Sequence, residues 1–226
     1  MPVNGSVTGY SLDAAGSVGA IPPVAETALT PGWATAAESM YAALRDPRPT
    51  LMRVDIAGHP PIAVDFPRRQ FFWEGAIERF PDEPSRVSVR TVDSTPEAAA
   101  ALGAGGQDLA ILLWTVGMES FGGTPATWLR PGDRYRLSQW PNFTVLPRRM
   151  AHLRMTAALV NAYLSIDELA TVTATPVSDV QRLVNALTLL DVVDVAADAP
   201  SDLAAWLPEP APEKSLFRRL RDRLGI

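Results

Sequence analysis

The sequence predicts an α+β protein in which a small mixed β-sheet with helices is followed by a winged-helix-like helical module and a C-terminal amphipathic helix. Three observations carry this reading. Between residues 51 and 91 apolar and polar side chains alternate with a period of two, as half-buried strands require. Between 148 and 196 the apolar residues recur at helical spacing and end in a short β-type run. Beyond a proline-rich stretch, a last segment carries apolar residues on one helical face and arginines elsewhere.

Residues 1–29 read as an irregular N-terminal arm. They are rich in Gly, Ser, Ala, Pro and Thr without a sustained period, so they lack the apolar pattern that would seat them in a core. An α/β domain is expected over 30–147. Thr30 can cap a helix, and Pro31 suits its first position, where the missing N–H costs nothing. Trp33, Ala37, Met40, Tyr41 and Leu44 then share a face, and Asp46-Pro47 ends the helix, because the residue before proline is pushed out of the α region.

Met52, Val54 and Ile56 alternate with Arg53 and Asp55 to give a first strand. Gly58-His59-Pro60-Pro61 turns the chain, and Ile62, Val64 and Phe66 return it as a hairpin. Phe71-Phe72-Trp73 supplies a third strand, and Val87, Val89 and Thr91 a fourth. Thr95-Pro96 repeats the cap-and-proline device before an alanine-rich helix that Gly103-Ala104-Gly105-Gly106 stops. Residues 109–116 are nearly all apolar and read as a central buried strand. This strand–helix–strand order predicts a small mixed sheet with helices on one face. Gly122-Gly123, Pro125, Pro131-Gly132 and Pro141 mark a long irregular connection.

The winged-helix-like module is expected over 148–207. Met150, Leu153, Ala157, Leu159 and Val160 mark its first helix. Ser165 caps a second, with Glu168 placed as in a capping box. Pro176 starts a third, whose buried row is Val177, Val180, Leu183, Val184, Leu187 and Leu190, and residues 191–195 read as a strand. Residues 208–226 are a linker, stiffened by Pro208, Pro210 and Pro212, and a basic amphipathic helix.

Composition excludes several chemistries. The 226 residues contain no cysteine and two histidines, His59 and His152, so disulfides, thiolate catalysis, Cys-based zinc sites and iron–sulfur clusters are ruled out. No cofactor and no metal is implied. No apolar run approaches the roughly 18 residues of a membrane span, and no signal peptide is evident at the N-terminus; the cytoplasm is the expected compartment. A net charge of −5 speaks against a protein that works by neutralising phosphates along its whole surface.

No catalytic constellation emerges, and an enzyme is not expected. The glycine run at 103–106 follows a helix and lacks the Lys-Ser/Thr of a phosphate loop. His59 lies in a solvated turn, and His152 reads as a half-buried packing residue. Asp82-Glu83 and Asp167-Glu168 are sequence neighbours, which do not face each other on a helix. The aromatic run at 71–73 reads as core. The helical module carries two arginines, Arg154 and Arg182, against six carboxylates over 151–200. Its third helix offers Ser178, Asp179, Gln181, Arg182 and Asn185 to a base edge, with one positive charge; this disfavours DNA and favours protein contact.

The tail is the reverse case. From 213 to 226 five basic residues face two acidic ones, and Leu216, Phe217, Leu220 and Leu224 line one side. The candidate protein-binding residues are therefore Leu216, Phe217, Arg218, Arg219, Leu220 and Leu224. Such a helix can dock in a partner's groove, pack on its own chain, or meet an anionic membrane or nucleic acid.

Tyr135-Arg136-Leu137, Trp140-Pro141 and Phe143, leading into the helical module and ending in Leu216-Phe217-Arg218-Arg219-Leu220, together resemble proteobacterial proteins that end in a winged-helix-like module and are associated with signalling modules of Ras-like small GTPases and roadblock-fold proteins. The resemblance spans roughly residues 130–226. It implies a non-enzymatic adaptor or effector in bacterial signalling, with a small GTPase or roadblock-fold protein as partner. The alternative is a DNA-binding transcriptional regulator with an α/β sensing half.

Overall fold

A hairpin flanked by two more antiparallel neighbours organises the first half of the chain. The structure is a computed structural model that describes residues 32–75, 80, 81, 84 and 86–197. Strands β1 (Thr50–Ile56), β2 (Ile62–Asp65), β3 (Gln70–Phe72), β4 (Val87–Asp93) and β5 (Gln107–Asp108) form one sheet in the order β4-β1-β2-β3-β5. Every pairing is antiparallel, so the sheet is not mixed as expected, although the class is α+β. The pairing register sets Met52 beside Val64, and Val54 beside Val89 and Ile62. These side chains point to the face that carries the main core.

Helices cover both faces of the sheet rather than one. α1 (Ala34–Arg45) buries Ala36, Ala37 and Met40 on the core face. Its N-cap is Trp33, whose side chain makes no cap bond; it is buried instead, with its indole N–H donating to the Pro81 carbonyl at 2.9 Å. The helix thus starts later than a Pro31 start implies, and Thr30 and Pro31 lie outside the described residues. Asp46 ends it in an extended conformation. Arg48, through its backbone N–H and guanidinium, lowers the Asp46 carboxyl pKa to about 2. α2 (Pro96–Ala101) opens as expected, with the Thr95 side chain accepting from the Ala98 N–H. It leans on the opposite face, where Leu51, Ala63, Phe72 and Leu102 form a separate small cluster.

The apolar run at 109–116 is a helix, not a strand. α3 spans Leu109–Glu119, and the Asp108 side chain caps it by accepting from the Ala110 N–H. The run shows no amphipathic period because apolar partners lie on several sides of it: α1, β3 and β5 on one side and a later helix on the other. Losing that strand also removes the parallel crossover on which a mixed sheet depended.

In the second half, α4 (Met150–Ala158), α5 (Ile166–Thr173), α6 (Val177–Leu189) and β7 (Val193–Ala196) follow in the expected order. Ser165 and Glu168 form the capping box at α5. The α6 row is buried except for Val177, which is 42% exposed. Of the apolar residues that mark the first helix, Leu159 is buried and Leu153 half-buried, whereas Met150, Ala157 and Val160 are exposed; Met155 and Ala158 are buried beside Leu159. The partner of β7 comes from upstream of this unit: β6 (Arg134–Leu137) pairs with it, Tyr135 opposite Val195. Tyr135 also exchanges backbone hydrogen bonds with Leu164, at 2.9 and 3.0 Å. β6 is therefore held on both edges. Burial, with Asp133 nearby, pushes the Tyr135 phenol pKa up and keeps it neutral.

One hydrophobic cluster runs from Trp33 to Leu190 and takes residues from both sides of position 148. The tightest joint in it is α3 on α6, where Gly117 faces the backbone of Ala186.

Candidate functional site

The sequence-predicted tail residues Leu216, Phe217, Arg218, Arg219, Leu220 and Leu224, like the arm at 1–29, lie outside the described residues. Among the described residues, three of the six exposed large hydrophobic side chains, Trp140, Val145 and Met150, fall at or just before the N-terminus of α4. The 138–149 connection delivers Trp140, 48% exposed, and Val145, 43% exposed, to this surface; α4 adds Met150, which is 79% exposed. Trp140 is braced edge-to-face by buried Phe143 at 6.0 Å, so the indole is held out rather than free to collapse. An open groove beside it is lined by Trp140, Pro141, Phe143, Arg148 and Leu153. Leu153, three positions after Met150 on α4, is half-buried and packs against the main core.

Arg148 and Arg149 rim this surface. Arg148 donates from its guanidinium to the Phe143 carbonyl, which ties the loop to the start of α4. Among the described residues neither arginine is paired with a carboxylate, whereas Arg134 holds Glu168 and Arg182 holds Glu119.

Behind the two arginines lies a second concavity of about 470 Å³, walled by Ile111, Trp114, Met118 and Met155 with His152 and Arg182 at its side. Trp114 meets Phe143 edge-on at 5.7 Å and His152 at 5.4 Å. The His152 Nδ1 accepts from the Arg149 backbone N–H at 3.2 Å, so in the neutral ring the proton sits on Nε2. Burial first, and the Arg149 charge second, lower its pKa below the usual 6.5, with Asp179 opposing them.

This shift has a direction that can be measured. The unfolded chain takes up the histidine proton before the folded one does, so the stabilisation is complete above pH 6.5 and is lost as the pH falls towards the folded-state value. The melting temperature of wild type relative to His152→Gln, which keeps an acceptor for the Arg149 N–H, should be flat above about pH 7 and should decline below about pH 6.5. A flat difference down to about pH 5 would show that His152 is not held neutral.

The residues read as base contacts on the third helix are otherwise occupied. Asn185 is 1% exposed. Its Oδ1 accepts from the Ala126 N–H at 2.9 Å, and its Nδ2 donates to the Thr124 carbonyl at 2.8 Å. Arg182 pairs with Glu119 at 2.9 Å. Both therefore fasten α6 to the 119–126 region. His59 is exposed in its turn, and Phe71, Phe72 and Trp73 are core. Among the described residues no group of three or more His, Asp or Glu side chains could hold a metal ion, and no helix is long and apolar enough to cross a membrane.

Trp140 and Phe143 stand out in the sequence without an assigned site, and Met150 stands there only as one of the residues that mark a helix. The usable signal was an aromatic, proline-flanked loop running directly into Arg148-Arg149. Comparison with family models, with curated proteins and with solved structures returned no match.

Proposed function

We propose that this protein is a non-enzymatic adaptor that binds a protein partner through the face around Trp140 and Met150, with the C-terminal stripe at 216–224 as a second contact. The observation that carries this reading is the exposure of a braced tryptophan and a methionine beside two arginines that no described carboxylate neutralises. Aromatic and arginine side chains with an open apolar neighbour are what binding hot spots are made of. A partner surface with apolar anchors and an acidic rim would complement the face. The sequence resemblance supports a bacterial signalling context in the cytoplasm, with a small GTPase or roadblock-fold protein as partner. The regulator reading has less support, because Arg182 and Asn185 are spent on internal contacts.

Affinity capture from the native host tests the proposal. Trp140→Asp should leave the melting temperature within about 2–3 °C of wild type, since about half of the residue is exposed. It should cut recovery of a stoichiometric partner by at least about 30-fold, the equivalent of a 2 kcal/mol hot spot. Unchanged recovery with both Trp140→Asp and a Met150→Glu variant would defeat the reading.

A further inference from the structure

We propose that the concavity behind Arg148 and Arg149 is a binding site for a small organic anion, an oxyanion headgroup on an apolar body. It adjoins the docking face, with which it shares Arg148 and Arg149, and it does not depend on the adaptor reading. Four observations converge on it. The space, about 470 Å³, is of the size that takes a small ligand. Part of its lining is apolar, made by Ile111, Trp114, Met118 and Met155. Three guanidinium groups line it, those of Arg148, Arg149 and Arg182, against the carboxylates of Glu119 and Asp179. Glu119 is already used by Arg182. That leaves Arg148 and Arg149 without a carboxylate among the described residues, at the mouth of a pocket in a protein of net charge −5.

The fourth observation is the way α4 begins. Its N-cap, Arg149, offers no side-chain acceptor, and no acidic residue stands in the first turn. Ala151, in that first turn, lines the cleft. The positive end of the helix thus lies beside the same space as the two arginines. Arginine and apolar side chains thus line one cavity, which suits a ligand that carries a carboxylate or phosphate headgroup on a hydrocarbon body.

Calorimetric titration of the full chain tests this with four probes: benzoate, phenyl phosphate, inorganic phosphate and uncharged benzamide. The expected result is saturable one-to-one binding of benzoate, phenyl phosphate or both, at least about tenfold tighter than inorganic phosphate or benzamide; whichever of the two binds identifies the headgroup. Arg149→Gln should weaken that binding by tenfold or more. Ala151→Asp should abolish it while leaving the fold intact, since an acid in the first helical turn is favourable there. Arg48→Gln, on a distant turn, should change nothing. No saturable binding of either organic anion below about 5 mM, equal binding of benzamide, or binding that survives both Arg149→Gln and Ala151→Asp would overturn the proposal.

Discussion

Replacing Gly117 by alanine should cost this protein about 2–3 kcal/mol even though alanine is the better helix former by roughly 1 kcal/mol. A Cβ at this position would lie 2.5 Å from the Ala186 Cα and 3.0 Å from its backbone nitrogen. Those are backbone atoms of a buried helix and cannot rotate aside. Relief requires α3 and α6 to move apart, which loosens contacts along both helices. Gly117→Val should be worse, because its branched side chain is stiff as well as larger. For a chain of this size, 2–3 kcal/mol corresponds to a fall of about 5–10 °C in melting temperature. Thermal unfolding of Gly117→Ala against Gly122→Ala separates packing from generic glycine effects, because a Cβ at Gly122 meets nothing within 4 Å although its φ is +56°. A Gly117→Ala protein as stable as wild type would mean that α3 and α6 do not cross this closely.

Asn185→Leu should cost about 2–3 kcal/mol, a large effect for a near-isosteric change in α6. Leucine removes both ends of the bridge to the 124–126 turn. The Ala126 N–H and the Thr124 carbonyl lose the partners that now sit 2.9 and 2.8 Å away. The buried Ala126 N–H left unsatisfied costs about 1–3 kcal/mol, whereas Thr124 is exposed and its carbonyl can turn to water. The neighbouring Trp128 indole, which donates to Thr188 at 3.1 Å and stacks on Tyr41 at 4.3 Å, belongs to the same stitching and should become more mobile. Chemical denaturation should show the loss as a lower midpoint with an unchanged slope. If Asn185 were kept free to read a base edge, the substitution would leave stability unaltered, so the same experiment weighs on the regulator reading.

Local chemistry made much of the fold legible. The cap at Thr95, the box at Ser165 and Glu168, and the alternation along β1 and β2 each depend on residues within a few positions of one another. Two features did not yield to such reading. The run at 109–116 lies between the sheet and α6, and a segment with apolar partners all round carries no period that separates strand from helix; Asp108, as a cap, was the clue that decides it. β6 is four residues long and is defined by Leu164 and Val195, far away in the chain, so nothing local marks it as the strand that holds the second sheet. The candidate face was hidden for a related reason. Helical spacing groups Met150 with Leu153 and Ala157, but it is silent on which end of the helix the core leaves uncovered.

The adaptor reading is tested most directly by a photo-crosslinking residue placed at Met150 in the native host. The account predicts one discrete protein adduct from position 150, lost when Trp140 is also changed to Asp, and no such adduct from position 195, which is 48% exposed on β7. The contradicting result is no adduct from position 150 together with a DNA adduct from a crosslinker at Gln181 on α6.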